Sequence, residues 1–262
     1  MNRLADQDYE QFKQMFMNLT GIDLSLYKEE QMKRRLNTLR LKRQIPTFVS
    51  YYLQMKKSDE LLQECLNRIT INVTEFFRNR QRWDVLEGKL IRSFLQKKHV
   101  SVWSAACSTG EEAYSLAILL SKHFSPDRFS IVATDVDRTV LQKAAEGKYV
   151  TGALKSVTAQ ERRQYFLREG LFYRIDERLK RSIRFMRHDL LAEPSPGLFD
   201  LVVCRNVLIY FTNEGKNRIY QKLSDALKTN GILFVGSTEQ IFQPKTYHLK
   251  AAETFFYEKI EG

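Results

Sequence analysis

Between Val100 and Asp135 the chain places small residues and acids where a ligand could be held. Val100-Ser-Val-Trp-Ser104 reads as a buried strand, with Val100 and Val102 on one face. The small residues Ser104 to Gly110 form a tight loop that lets a ligand approach the backbone. Glu111 then opens a helix whose apolar positions include Tyr114, Ala117 and Ile118. A second strand, Ile131-Val132-Ala133, ends in Thr134-Asp135. An acid at the tip of the second strand of a βαβ unit can accept hydrogen bonds from both hydroxyls of a ribose. This order of elements points to a nucleoside site.

The loop carries one glycine, Gly110, where the dinucleotide fingerprint has three. A pyrophosphate cradle therefore matches poorly. A carboxylate at Glu111 repels phosphate and attracts an ammonium group. S-adenosylmethionine has a ribose, a free amino group and no phosphate, and it suits these residues. Glu111 has a second reading, as a capping box Ser108-x-x-Glu111, and the two are compatible. Asp135 also has two readings, a ribose acceptor or the N-cap of the helix containing Val140 and Leu141. Asp189 follows a third strand in Arg187-His-Asp-Leu-Leu, as an acceptor for an adenine amino group or an ordinary loop aspartate. Arg205, Asn206 and Tyr210 leave a fourth apolar strand at its carboxyl end, where open α/β sheets bind ligands. Base-amino methyltransferases carry a Pro-Pro-aromatic run there. Its absence weakens a nucleic-acid base as substrate.

The elements that must position these residues come in two styles. The first seventy residues show only helical spacing. Phe12, Phe16 and Leu19 mark one helix, ended by Gly21, and Met32, Leu36 and Leu39 mark a second. Pro46-Thr47 starts a third with Phe48, Tyr52 and Met55 inward. Ser58 caps a fourth with Leu62, Cys65 or Leu66, and Ile69 inward. Ile71 to Arg78 has no helical stripe and reads as a linker that touches both domains. A helix with Trp83, Leu86, Leu90 and Phe94 inward follows. Strands are then expected at 100–104, 129–134, 183–187, 200–204 and 231–236, and one or two antiparallel strands between Tyr247 and Ile260. Alternating strands and helices imply a mostly parallel sheet covered on both faces. Residues 147–181 are too long for a simple crossover and read as a small inserted subdomain, with a helix near 158–167 and a strand at 171–175.

Composition bounds the class. The 262 residues are 43% hydrophobic, enough for one large domain or two small ones. No apolar run is long enough to cross a bilayer, and the N-terminus has acids and no apolar signal core. Cys65, Cys107 and Cys204 lie far apart and suit a reducing cytoplasm; neither they nor the four histidines have metal-ligand spacing. The net charge of +11 favours an acidic partner, with basic clusters at 33–43, 78–98 and 162–187.

These residues are similar to one family over nearly the whole length. The linker NVTEFFR, the loop WSAACSTGEEAYSLA, the strand end ATDVD, the run FDLVVCRNVLIYF and the segment GILFVGSTE together resemble the bacterial chemotaxis receptor methyltransferases, the CheR-type protein-glutamate O-methyltransferases. The resemblance implies an α/β fold, a class I methyltransferase-like doubly wound sheet with an N-terminal all-helical domain and a small inserted β-subdomain. It implies domains at 1–70, a linker at 71–79 and a catalytic domain at 80–262, with the insert at about 148–182. It places Asn72, Thr74, Arg78, Ala105, Glu111, Asp135, Asp189, Leu190, Arg205 and Asn206 at the S-adenosylmethionine, and Arg78 with Tyr210 nearest the transferred methyl. Products would be a glutamyl methyl ester and S-adenosylhomocysteine, with no metal. The partner would be the acidic cytoplasmic helices of membrane chemoreceptors, docked on the basic second helix through Lys33, Arg34, Arg35 and Arg40. In some members the insert grips a tethering peptide on the receptor tail. The expectation is a cytoplasmic monomer recruited to receptor arrays, with no membrane insertion and no nucleic acid. Two other readings share features of the chain, an RNA methyltransferase and a non-enzymatic receptor adaptor. Intact Glu111, Asp135, Arg78 and Tyr210 weigh against the adaptor.

Overall fold

Apolar residues three and four apart build four helices in the computed structural model, which describes residues 3–70 and 74–261. They are α1 (Arg3–Thr20), α2 (Glu29–Lys42), α3 (Phe48–Met55) and α4 (Asp59–Ile69). Their buried face consists of Tyr9, Phe12 and Phe16, then Met32, Leu36 and Leu39, then Phe48, Tyr51 and Met55, then Leu61, Cys65 and Ile69. Three inward positions differ from the sequence reading. Leu19 is half-buried, and Tyr51 and Leu61 replace Tyr52 and Leu62. Tyr51 wins because its ring stacks on Phe12 at 6.2 Å. Gly21, at φ 78°, stops α1 in the left-handed region that glycine tolerates. Thr47 and Ser58 cap α3 and α4 by accepting from the N–H groups of Ser50 and Leu61.

The compact unit built on these helices comprises Met1–Ile71, Leu191–Glu193 and Leu208–Ile219. The late segment joins it through a bridge between Tyr27 and Phe211 and a bond from Thr212 N–H to the Leu26 carbonyl (2.8 Å). The stretch that carries Tyr210 thus packs with the helices, although it follows a strand in sequence.

The second unit comprises Asn72–Leu190, Pro194–Val207 and Tyr220–Gly262. It opens with α5 (Arg80–Val85), which passes into a π-helical turn at Leu86–Leu90 and a 3-10 turn at Ile91–Phe94. The wider turn moves the inward position on by one, so Ile91 is buried where Leu90 was expected. The strands are β1 (Val100–Ala105), β2 (Phe129–Asp135), β3 (Lys148–Val150), β4 (Phe166–Glu169), β5 (Phe172–Ile175), β6 (Ile183–Arg187), β7 (Phe199–Cys204), β8 (Leu227–Val235), β9 (Leu249–Glu253) and β10 (Phe256–Lys259). The large sheet has the order β6-β2-β1-β7-β8-β10-β9. Its first five strands are parallel, and β10 and β9 are antiparallel. The remaining helices are α6 (Glu111–Ser121), α7 (Arg138–Glu146), α8 (Ala159–Tyr165), α9 (Glu177–Lys180) and α10 (Asn213–Asp225). The chain leaves β1 toward β2 and returns on its other side as β7. That reversal is where such sheets open a crevice at their carboxyl ends.

A three-stranded sheet, β3-β5-β4, forms the insert between α7 and β6. Thr158 and Glu161 form a capping box on α8. Glu161 is also gripped by Arg80 (2.7 and 2.8 Å) and Lys122 (3.0 Å). Those bonds outweigh its burial and hold the carboxyl near 2.

The opposite, amino-terminal end of the sheet carries a structural charge cluster. Buried Asp200 accepts from Lys97 and Lys228 (2.8 Å each) and from the Ser101 N–H and hydroxyl (2.9 Å each). Burial pushes its pKa up, but the lysine hydrogen bonds more than offset this and hold it at about 2. A folded pKa below the unfolded one contributes stability above pH ~4 that is lost as the pH falls toward 2. Because both lysines are partly in solvent, Asp200→Asn is expected to cost about 1–2 kcal/mol at neutral pH in urea unfolding. The gap from wild type should close as the pH falls toward 2; an unchanged gap would assign the loss to packing.

Candidate active site

The loop after β1 is built from left-handed backbone. Ala106, Ser108 and Gly110 have φ of 60°, 50° and 93°. The loop is pinned to the tip of β2: Cys107 N–H donates to the Thr134 carbonyl (2.8 Å) and Ser108 N–H to Asp135 Oδ2 (2.9 Å). Gly110 serves helix packing as well as the turn. A Cβ there would lie 2.8 Å from the Ala144 Cβ of α7. Ala105, the last residue of β1, is buried.

Asp135 is buried, and its other oxygen accepts from Asp137 N–H (3.0 Å). The N-cap of α7 is Asp137, which accepts from Thr139 N–H (2.8 Å), so Asp135 does not perform that task. Burial raises the Asp135 carboxyl to about 6. Glu111 is the first residue of α6, with Gly110 in the cap position and no side-chain cap bond; the Ser108-x-x-Glu111 box is therefore not the helix start. Its Oε2 accepts from the Thr109 hydroxyl (2.7 Å), and burial raises its pKa. Among the described residues no cation pairs with Asp135 or Glu111. Two buried acids, bonded to the adjacent residues Ser108 and Thr109, thus share one loop.

The exits of β6, β7 and β8 lie at the same end of the sheet. His188 N–H donates to the Asp135 carbonyl (2.9 Å), tying the start of His188-Asp189-Leu190 to β2. Asp189 and Leu190 are buried, and the Leu190 carbonyl accepts from Lys222 (2.6 Å). Asn206 is left-handed at φ 61°. Its N–H and that of Val207 donate to the two oxygens of Glu239 (2.6 Å each), and Gly236 N–H donates to Glu239 Oε2 (2.8 Å). A Cβ at position 236 would collide with that carboxylate. Glu239 was not among the residues singled out from sequence; its only local sign is an acid just after a strand. Glu112 was also missed, behind its neighbour Glu111. It accepts from the Ser104 hydroxyl (2.9 Å), and burial raises it to about 7.

Arg205, which the resemblance places at the cofactor, has a buried side chain. Its Nη2 donates to the Arg78 carbonyl (2.7 Å), and its Nη1 lies 3.9 Å from Glu112. In the linker, Asn72 lies outside the described residues, and Thr74 and Arg78 are half-buried. Tyr210 belongs to the helical unit, with the Arg35 guanidinium 5.0 Å from its ring centroid. The other basic residues of α2 differ in freedom. Lys33 pairs with Asp6 (2.7 Å), and Arg40 donates to the Ile45 carbonyl and Asn37 (2.6 Å each). Arg34 is exposed.

A five-stranded parallel array with an acid at the tip of β2, extended by an antiparallel pair, defines a methyltransferase fold. Residues 72–256 match the family described as CheR methyltransferase, SAM binding domain, and residues 7–70 match CheR methyltransferase, all-alpha domain. The chain is 45% identical over 256 residues to a chemotaxis protein methyltransferase of Listeria innocua, covering 97% of this chain and 98% of that one. It is 34% identical over 248 residues to the chemotaxis protein methyltransferase of Escherichia coli K12, covering 90% and 85%. The chain belongs to the CheR methyltransferase family.

Glu239→Gln swaps one acceptor oxygen for a donor that faces backbone N–H groups. We expect it to destabilise the protein by about 2–3 kcal/mol in urea unfolding. A loss no larger than that of the exposed Glu30→Gln would show that the carboxylate does not organise the strand exits.

Proposed function

We propose that this CheR-family methyltransferase moves a methyl group from S-adenosylmethionine to glutamate carboxylates on the cytoplasmic helices of chemoreceptors. Products are glutamyl methyl esters and S-adenosylhomocysteine. The observation that carries the reading is a pair of buried acids, Asp135 at the tip of β2 and Glu111 at the start of α6, that bond to adjacent loop residues and pair with no cation among the described residues. A ligand bearing ribose hydroxyls and an ammonium group supplies what they lack. The residues present therefore fit the cofactor: Asp135 for the ribose, Glu111 for the amino group, and Asp189 with Leu190 for the adenine. Asn72, Thr74, Ala105 and Asn206 join this proposal on the family resemblance.

When bound, the cofactor supplies an electrophilic methyl group on a sulfonium. The substrate carboxyl, with an ordinary pKa near 4.3, is already ionised at neutral pH and needs no general base. The protein's task is to strip water from the carboxylate and aim one oxygen. Arg78 is assigned that aim, through a charge-assisted hydrogen bond from its planar fork. Tyr210 enters on the resemblance alone, as a phenol donor. Receptor docking is assigned to α2. Arg34 is its best-placed contributor there, since Lys33 pairs with Asp6, Arg40 is tied to its own loop and Arg35 lies over Tyr210. The enzyme would work as a cytoplasmic monomer brought to receptor arrays.

Labelled methyl from S-adenosylmethionine should enter receptor-bearing membranes as base-labile counts. Label entering RNA, or nothing, would overturn the substrate assignment. Arg78→Ala should lower kcat by roughly 10²–10³ with a smaller loss of cofactor affinity, and Arg78→Lys should restore little. A near wild-type rate at saturating substrate would remove Arg78 from the reaction.

Ribose hydroxyls donate to the ionised form of Asp135, whose carboxyl stands at about 6. Affinity for S-adenosylhomocysteine should therefore fall, by up to about tenfold, as the pH drops from 7 to 5. Calorimetry across that range tests this. Asp135→Asn should bind more weakly at pH 7 and flatten most of the dependence.

A further inference from the structure

Arg78 sits in a main-chain conformation that must be held in place. Phe77 and Asn79, its two neighbours, are both left-handed, at φ 51° and 59°. For a bulky phenylalanine that region is costly, and it persists only where surrounding contacts over-determine it. The contacts are identifiable. Phe77 N–H donates to the Ser115 hydroxyl of α6 (2.9 Å). The Arg78 carbonyl, between the two strained residues, accepts from Trp83 Nε1 (3.1 Å) and Arg205 Nη2 (2.7 Å).

The donor just after β7, Arg205, is itself rigidly held. The Arg205 side chain is 3% exposed, with its guanidinium 4.6 Å from the Phe234 ring centroid and 5.5 Å from that of Trp83. The carboxyl of Glu112, held by Ser104, stands 3.9 Å from Nη1. Two aromatic faces, one carboxyl and one carbonyl thus surround the guanidinium. A lysine could not fill this place, because a point charge lacks the flat fork that stacks and donates together.

We propose that Arg205, backed by Glu112, is a positioning residue that acts through the main-chain carbonyl of Arg78. It holds the linker in its strained turn and so sets the direction of the Arg78 side chain. The proposal rests on the reading of Arg78 as the group that orients the substrate carboxylate. A small misplacement of such a group is enough to cost roughly 10²-fold in rate.

A double-mutant cycle and amide hydrogen exchange test it. Arg205→Met keeps the packing volume and removes the donor. It should lower kcat by roughly 10–100-fold and change the Kd for S-adenosylhomocysteine by less than about threefold. In an Arg78→Ala background it should lower kcat by less than about threefold, because the residue it positions is gone. Exchange of the 76–82 amides should speed up in Arg205→Met, while the β1 amides stay protected. Additive kcat losses, or a Kd raised more than tenfold, would overturn the proposal in favour of a direct cofactor contact. Unchanged linker exchange would overturn it outright. Exchange needs no methyl acceptor, so it judges the clamp even if receptor methylation fails. Should Arg205→Met not fold, Glu112→Gln and Arg205→Lys carry the same measurements, with smaller losses in the same direction.

Discussion

Where parallel strands end inside a protein, peptide N–H groups leave the ladder and need acceptors. In the second unit two buried carboxylates meet that need. Asp135 takes the N–H groups of Ser108 and Asp137, and Glu239 takes those of Asn206, Val207 and Gly236. The sharp loops depend on these bonds. Two of their left-handed residues, Ser108 and Asn206, have their N–H groups satisfied in this way. The geometry of the carboxyl end of the sheet therefore follows from where acceptors stand.

The two ends of the sheet treat charge in opposite ways. At the amino-terminal end Asp200 is paired with two lysines, and its carboxyl is pulled down to about 2. At the carboxyl end burial raises Glu111, Glu112 and Asp135. The hydrogen bonds these acids accept do not offset their burial. One end holds its acid ionised, and the other holds its acids closer to neutrality.

The basic character of α2 also separates into distinct roles once its partners are visible. One arginine ties off its own helix, one lysine meets an aspartate of α1, one arginine lies over a tyrosine, and Arg34 faces solvent. A run of like charges in sequence overstates the field available to a partner.

Much of the fold was legible in the residues themselves. Buried parallel strands are near-continuous apolar runs, so β1, β2, β6 and β7 stand within a residue or so of their expected positions. The small-residue loop and the acid after β2 follow from local order alone, as do the caps Thr47 and Ser58. Other features were decided by tertiary structure. A π-helical turn moved the inward position from Leu90 to Ile91. Residues 208–219 joined the helical unit although they follow a strand of the other. Glu239 meets its N–H partners 32 and 33 residues away, and Arg205 meets its carbonyl 127 residues away. Periodicity tells which face of an element turns inward. It carries no record of which distant group waits there, because that choice is made only when separate elements pack together and each buried polar atom must find a partner.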